Sequence, residues 1–244
     1  MAQTLARLFL SAALLTLCGC ARFPDTGTAG AGAQLVVTMT VAGAINPDMY
    51  YFVVFNTSND ANGTAGPVPV VAPPWGNGFI AGSATQFVEY HRTLPADGYA
   101  VYSFVSGSSL QQYTAIGVPT QDTPITTGAN TLQFRLPLSQ LAYGTIAAAD
   151  IHNIQVNFLA TDRIPANPLD TSAKLFDALG DSSFGSGQLN NYITISTDQA
   201  TTYSNATRNI EPSGDVQRTN GSGGYSTTTE PDLDITGWSV QIVR

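Results

Sequence analysis

Short runs of apolar and β-branched residues recur along the chain, and clusters of Gly, Pro, Asn and Asp separate them. At residues 132–136 the run alternates, so Leu132, Phe134 and Leu136 are predicted to point inward. At residues 49–55 it is continuous, which is typical of a central strand covered on both faces. About nine or ten such strands at short spacing predict an all-β fold, an antiparallel β-sandwich of jelly-roll or immunoglobulin-like type over residues 34–244.

One segment has a helical pattern. Residues 171–179 are predicted to form a short helix, with Asp170 as its N-cap and Gly180 as its stop. Residues 139–143 and 147–150 are predicted to form single helical turns. Two polar stretches, 56–83 and 198–232, are predicted loops, and loops of this length in a compact domain are often functional.

The N-terminus has the pattern of an export signal. Arg7 and the free amine supply positive charge, and residues 8–17 form an apolar run of ten residues. Such a run is too short to cross ~30 Å of hydrocarbon and has the length of a signal-peptide core.

Residues 17–20, Leu-Cys-Gly-Cys, resemble the bacterial lipobox. The resemblance implies that residues 1–19 are a lipoprotein signal peptide and that Cys20 receives a lipid. Residues 20–33 would then be a flexible tether. Ala21 after the cysteine resembles lipoproteins sent to the outer membrane or cell surface, so the domain would be extracytoplasmic and anchored through its lipid. An ordinary secretory signal cut elsewhere is the alternative.

Charge and cysteine content exclude several classes of protein. Nine Lys and Arg face seventeen Asp and Glu, for a net charge of −8, and this argues against a nucleic-acid partner. Both cysteines lie within the first twenty residues. The mature domain is therefore predicted to have no disulfide, no cysteine nucleophile and no cysteine-ligated zinc.

Three segments carry a family resemblance. They are the aromatic strand at 50–55, the strand running into Pro-Leu-Ser-Gln-Leu at 132–141, and the strand at 154–158. Their order resembles that of DOMON-like and family-9 carbohydrate-binding β-sandwiches over residues 50–160. The resemblance implies a β-sandwich fold and an extracellular glycan as ligand.

Exposed aromatic rings are the side chains on which sugar-binding sandwiches stack their ligands. Trp75 lies in a Pro/Gly loop, where it either covers the end of the core or presents a platform. Tyr203 and Tyr225 lie in the polar C-terminal stretch and are further candidates for ligand binding.

Calcium is the metal that the sequence favours, although no cofactor is required by its pattern. Ser58, Asp60 and Asn62 place oxygen-bearing side chains at alternate positions before a glycine, like the start of a calcium loop. The alternative is an Asn-Gly turn between strands. Asp232 and Asp234 are a second possible pair of ligands.

Catalytic motifs are lacking. The chain contains no G-x-S-x-G and no H-E-x-x-H, and Glu89 is a lone carboxylate on a strand. The favoured hypothesis is therefore a non-catalytic ligand-binding or structural role in the cell envelope. The alternative is a calcium-assisted glycan-degrading enzyme that uses scattered carboxylates.

Overall fold

The computed structural model describes residues 32–107, 109–120, 124–183, 191–207, 211–219 and 224–244. The predicted signal peptide, Cys20 and nearly all of the predicted tether lie outside the described residues. Gly32–Arg244 form one compact unit. Within the described part of the chain, no helix is long and apolar enough to cross a membrane.

The described residues are built almost entirely from antiparallel strands. The strands are β1 (Gln34–Val41), β2 (Tyr50–Thr57), β3 (Pro67–Pro69), β4 (Ile80–Gly82), β5 (Gln86–Tyr90), β6 (Tyr99–Phe104), β7 (Tyr113–Gly117), β8 (Thr131–Pro137), β9 (Asn153–Thr161), β10 (Lys174–Ala178), β11 (Ile193–Ser196), β12 (Thr202–Ser204), β13 (Gln217–Thr219), β14 (Tyr225–Thr227) and β15 (Ile235–Val243). Helical structure within the described residues is limited to a four-residue turn, α1 (Pro95–Gly98), and two 3₁₀ turns, Leu138–Leu141 and Ala148–Asp150. The two 3₁₀ turns coincide with the predicted single turns.

Two sheets form the predicted antiparallel β-sandwich. The smaller sheet has the order β12-β15-β1-β8. The larger has the order β14-β13-β10-β9-β2-β5-β6-β7, with β11 also paired to β9. The short hairpin β3-β4 lies in the stretch predicted as the first long loop.

The main core lies between the sheets, and along the strands every second side chain contributes to it. Leu132, Phe134 and Leu136 are buried there, as the alternation predicts. Their neighbours on β1 and β15 are also apolar, so the four-stranded sheet contributes one continuous face.

A second apolar core covers the outer face of the larger sheet. Phe52 on β2 and Phe87 on β5 belong to it, and Phe79, delivered by the loop before β4, stacks on Phe52 with ring centroids 4.4 Å apart. The continuous run that contains β2 is therefore covered on both faces, and this confirms the prediction for residues 49–55.

The predicted helix at residues 171–179 is wrong. Lys174–Ala178 form β10, which pairs with β9 and β13. Lys174, Phe176 and Ala178 are buried under the outer loops, while Leu175 and Asp177 alternate with them. Pairing on both sides and burial of this segment outweigh its weak helical pattern.

Candidate functional site

Trp75 is fully buried, which corrects its role as a candidate sugar platform. Its ring is 0% exposed, and its Nε1 donates a hydrogen bond to the carbonyl of Asp170 at 2.7 Å. The Nζ atom of Lys174 lies 5.5 Å from the ring centroid. The loop therefore turns the indole inward, where it covers the core.

Tyr203 and Tyr225 are partly exposed, but they lie on different sheets. The hydroxyl of Tyr203, on β12, accepts a hydrogen bond from the N–H of Ser196 and donates to that residue's carbonyl. Tyr225, on β14, lines a shallow depression of about 250 Å³ with Arg218 and Ser226. The structure does not assemble the three predicted ligand residues into one site.

The candidate calcium loop at Ser58, Asp60 and Asn62 is closed by its own hydrogen bonds. Asp60 accepts the N–H of Asn62 at 2.9 Å and the N–H of Thr64 at 2.6 Å. The hydroxyl of Thr64 also donates to Asp60, and this bond, followed by the two N–H bonds, lowers the pKa of the Asp60 carboxyl. Ser58 donates to the side chain of Gln155. These side-chain oxygens are therefore engaged in the hydrogen bonds of a surface turn. Calcium binding at this loop stays a prediction.

One part of the larger sheet's outer face is left accessible beside the covering loop. We name it the tyrosine face and define it by Tyr50, Glu89, Tyr102 and Tyr113. Tyr102 stacks on Phe87 at 4.8 Å, and Tyr113 meets Tyr102 edge-on at 5.5 Å. Tyr113 is 39% exposed. The tyrosine face therefore presents ring surfaces and phenolic hydroxyls around one carboxyl group.

Glu89 is the polar centre of this face. It lies on β5 directly opposite Phe52 of β2 and Ala100 of β6. Burial among these apolar neighbours raises the pKa of Glu89 to about 7. Its negative charge in turn contributes to raised pKa values of Tyr102 and Tyr113, after burial. A carboxyl group so placed is an acceptor that a hydroxyl-rich ligand can reach.

A separate cleft of about 370 Å³ opens at one end of the sandwich. Its lining includes Asn46, Tyr90, Thr126 and Asp232. Asp232 accepts the N–H of Ala44 there at 2.9 Å. Among the lining residues only Tyr90 is aromatic, so the cleft offers less ring surface for stacking than the tyrosine face.

Three buried aspartates and one partly buried glutamate meet where β10, β13 and β15 come together. We name them the carboxylate centre: Asp177 on β10, Glu211 and Asp215 on the segment before β13, and Asp234 directly before β15. One carboxylate oxygen from each of the three aspartates lies within 4.8 Å of the others. The segments that carry them are held in place by core residues, among them Val216 and Ile235.

Each carboxyl group in the centre is oriented by hydrogen bonds to its neighbours. Asp177 uses both oxygens: Oδ1 accepts from Ser182 Oγ and the N–H of Ala178, and Oδ2 accepts from the N–H of Ile235. Asp215 Oδ2 accepts the N–H of Ser182 at 2.7 Å.

The two remaining groups are held in the same way. Asp234 Oδ2 accepts the N–H of Gly214 at 2.8 Å. Glu211 Oε1 accepts the N–H of Gly180 and Nε1 of Trp238, both at 3.0 Å.

Three buried oxygens of the centre have no hydrogen-bond partner among the described residues. They are Glu211 Oε2, Asp215 Oδ1 and Asp234 Oδ1. Burial raises the pKa of Glu211 to about 8 and that of Asp215 to about 6, and the negative charges of neighbouring carboxylates act in the same direction. Burial, and then the charge of Asp215, raises the pKa of Asp177 as well. The centre can therefore hold protons or a cation.

The local sequence pattern points to one member of this centre. It pairs Asp234 with Asp232, but the two residues face different surroundings, since Asp232 lines the end cleft. Asp177 was hidden within the predicted helix. Glu211 and Asp215 lie in a polar stretch where no local spacing marks a ligand.

No protein-family model, curated protein or solved structure matches this chain.

Proposed function

We propose that this protein is a lipid-anchored extracytoplasmic β-sandwich that binds an extracellular carbohydrate on the tyrosine face without cleaving it. The observation that carries the proposal is the carboxyl group of Glu89, which lies among tyrosine rings on an accessible sheet face. Sugars have apolar C–H faces that pack on aromatic rings and hydroxyls that donate to a carboxylate.

The position of Glu89 favours binding over hydrolysis. A glycosidase needs two carboxyl groups about 5–9.5 Å apart across the bond it cleaves. Glu89 is flanked across the sheet by Phe52 and Ala100, and it is the one carboxyl group among the residues that define the tyrosine face. The carboxylate centre is buried, so it is not a partner for catalysis on a polymeric sugar.

We expect glycan binding to depend on Glu89 and on pH. Because a sugar hydroxyl donates to the ionised carboxylate, affinity should rise as the pH increases through about 7, where Glu89 loses its proton. Glu89→Gln should weaken binding roughly 10- to 100-fold at pH 8 and remove the pH dependence. Calorimetric titration with soluble oligosaccharides, chosen from a glycan array, measures both effects.

The matched control is Asp232→Asn, which changes a carboxylate in the end cleft and leaves the tyrosine face intact. It should bind the same oligosaccharide as the unmodified protein does. Binding lost in Asp232→Asn but kept in Glu89→Gln would place the ligand in the cleft instead. Release of reducing sugar by the pure protein, abolished in Glu89→Gln, would favour the glycan-degrading enzyme.

The lipid anchor is tested at Cys20. Cys20→Ser removes the thiol that the lipobox resemblance assigns to lipid attachment, so the protein should move from the membrane fraction to the soluble fraction. Two or more acyl chains give stable anchoring, whereas the domain alone has no described helix that could span the membrane. Fractionation with metabolic labelling by a fatty acid checks this, and continued membrane association of the variant would contradict the anchor.

A further inference from the structure

We infer that the carboxylate centre is a binding site for one calcium ion, which joins the two sheets at the edge of the inter-sheet core. This site is separate from the tyrosine face. It rests on three oxygens that have no hydrogen-bond partner among the described residues and on the proximity of Asp177, Asp215 and Asp234. Neither depends on the proposed sugar ligand.

Three carboxyl groups of the centre share one pattern of hydrogen bonding. Glu211, Asp215 and Asp234 each use one oxygen to accept a hydrogen bond and keep the other unpartnered. Asp215 is 4% exposed and Asp234 is 5% exposed, so water does not satisfy these oxygens freely. A buried polar atom without a partner is costly, and its repetition on three adjacent carboxyl groups indicates a shared ligand.

The carboxylate centre has no basic partner. Among the described residues, no Lys, Arg or His forms an ion pair with Asp177, Glu211, Asp215 or Asp234. Buried carboxylates that lack a basic partner are stabilised by a metal cation. The ligand that fits is therefore positively charged.

The type and spacing of the donor atoms indicate which cation fits the centre. All the available donors are carboxylate oxygens, which favour a hard ion such as Ca²⁺ or Mg²⁺ over zinc or copper. Two oxygens on opposite sides of a Ca²⁺ ion are ~4.6–5.2 Å apart, and on opposite sides of Mg²⁺ only ~4.0–4.2 Å apart. The aspartate oxygens lie within 4.8 Å of one another, which is within the span of a calcium coordination sphere.

The fold explains what such an ion does. Asp177 belongs to the larger sheet, and its Oδ2 accepts the N–H of Ile235, the first residue of β15 in the smaller sheet. An ion between Asp177, Asp215 and Asp234 would fasten the chain before β13 and before β15 to β10. Its loss should therefore loosen the edge of the sandwich.

Thermal unfolding of the full-length chain in detergent tests the site. After treatment with EGTA at pH 7.5, addition of about 10 mM CaCl₂ should raise the Tm by roughly 3–10 °C, given the weak affinity typical of extracellular calcium sites. Asp215→Asn and Asp234→Asn should remove this response. Each amide keeps a carbonyl oxygen for its N–H donor and replaces only the unpartnered oxygen, so both variants should fold.

Asp60→Asn, in the surface loop, is the control and should respond to calcium as the unmodified protein does. The inference is overturned if EGTA-treated protein shows no response to CaCl₂, or if Asp215→Asn and Asp234→Asn respond fully. A response lost only in Asp60→Asn would move the calcium site to the surface loop. An equal response to MgCl₂ would overturn the assignment to calcium.

Terbium luminescence gives a second readout that does not depend on stability. Trp75 and Trp238 are the two tryptophans of the chain, and Nε1 of Trp238 donates to Glu211 in the centre. Tb³⁺ bound there should therefore emit on excitation of Trp238. Trp238→Phe should lose most of this emission, whereas Trp75→Phe should keep it. The reverse result would exclude the carboxylate centre as the terbium site.

Discussion

Replacing Trp75 by alanine should lower the free energy of unfolding by about 3–5 kcal/mol, the range for loss of a large buried aromatic side chain. The ring is 0% exposed, and the change also removes the hydrogen bond from Nε1 to the carbonyl of Asp170. Lys174, whose Nζ donates to the carbonyls of Val70 and Gly78, loses the ring it contacts. Chemical denaturation followed by circular dichroism measures the loss.

Two other variants serve as comparisons for Trp75→Ala. Trp75→Phe keeps most of the buried ring but loses the indole N–H, so its loss of stability should be smaller than that of Trp75→Ala. Leu169→Ala, in the nearby loop, changes a side chain that is 75% exposed and should alter stability by less than about 0.5 kcal/mol. A Trp75→Ala protein as stable as the unmodified chain would contradict the buried position of the ring.

This result also affects how glycan binding is tested. Loss of binding in Trp75→Ala would follow from damage to the fold and would not identify a sugar platform. Glu89 is a better probe, because replacement of a half-buried carboxyl by its amide keeps the side-chain volume. Variants at the two residues also test two regions independently, because Trp75 lies in the covering loop and Glu89 lies on the tyrosine face.

The strands could be predicted from the sequence because each carries its own local pattern. Alternation at residues 132–136 and the continuous run at 49–55 follow directly from which faces are covered. The segment of β10 has no such clear pattern. Lys174 is the only lysine of the chain, and a lysine is normally exposed, which favours a surface helix for this segment. In the structure Lys174 is fully buried, and its burial lowers its pKa to about 7. Its partners are carbonyls of residues about a hundred positions away, which no local pattern reveals.

The candidate sites were less accessible to sequence reasoning for the same reason. Local spacing marked Asp60, whose oxygens bond within their own turn. The carboxylate centre is assembled by strand pairing, and Asp177 and Ile235 are 58 positions apart. The tyrosine face likewise needs the register of β2, β5 and β6, which sets Glu89 opposite Phe52 and Ala100.

Replacing Asp177 by alanine should also lower the free energy of unfolding by about 2–3 kcal/mol, even in the absence of calcium. The carboxylate accepts hydrogen bonds from the N–H groups of Ala178 and Ile235 and from Ser182 Oγ, at 2.6–2.7 Å. The buried N–H of Ile235 loses this acceptor, at a cost of roughly 1–3 kcal/mol, whereas the N–H of Ala178 keeps Ser182 Oγ and Ser182 Oγ keeps the carbonyl of Ala178. Denaturation in EGTA measures this structural contribution without any metal.

The contrast with Asp215→Asn separates the two roles within the carboxylate centre. Asp177 has both oxygens engaged, so its removal breaks the contact between β10 and β15. Asp215 keeps one oxygen unpartnered, so its amide variant removes a buried negative charge and keeps the bond from Ser182. In EGTA, Asp215→Asn should therefore be at least as stable as the unmodified protein, since repulsion among the carboxylates decreases.

Asp48→Ala, at an exposed ion pair with Arg92, should change stability by no more than about 1 kcal/mol and serves as the surface control. If Asp177→Ala lost no more stability than Asp48→Ala, the hydrogen bonds of Asp177 would not connect the sheets. Because Ser182 donates to both Asp177 and Asp215, and Ile235 directly follows Asp234, we expect the hydrogen bonds of Asp177 to position the other two aspartates.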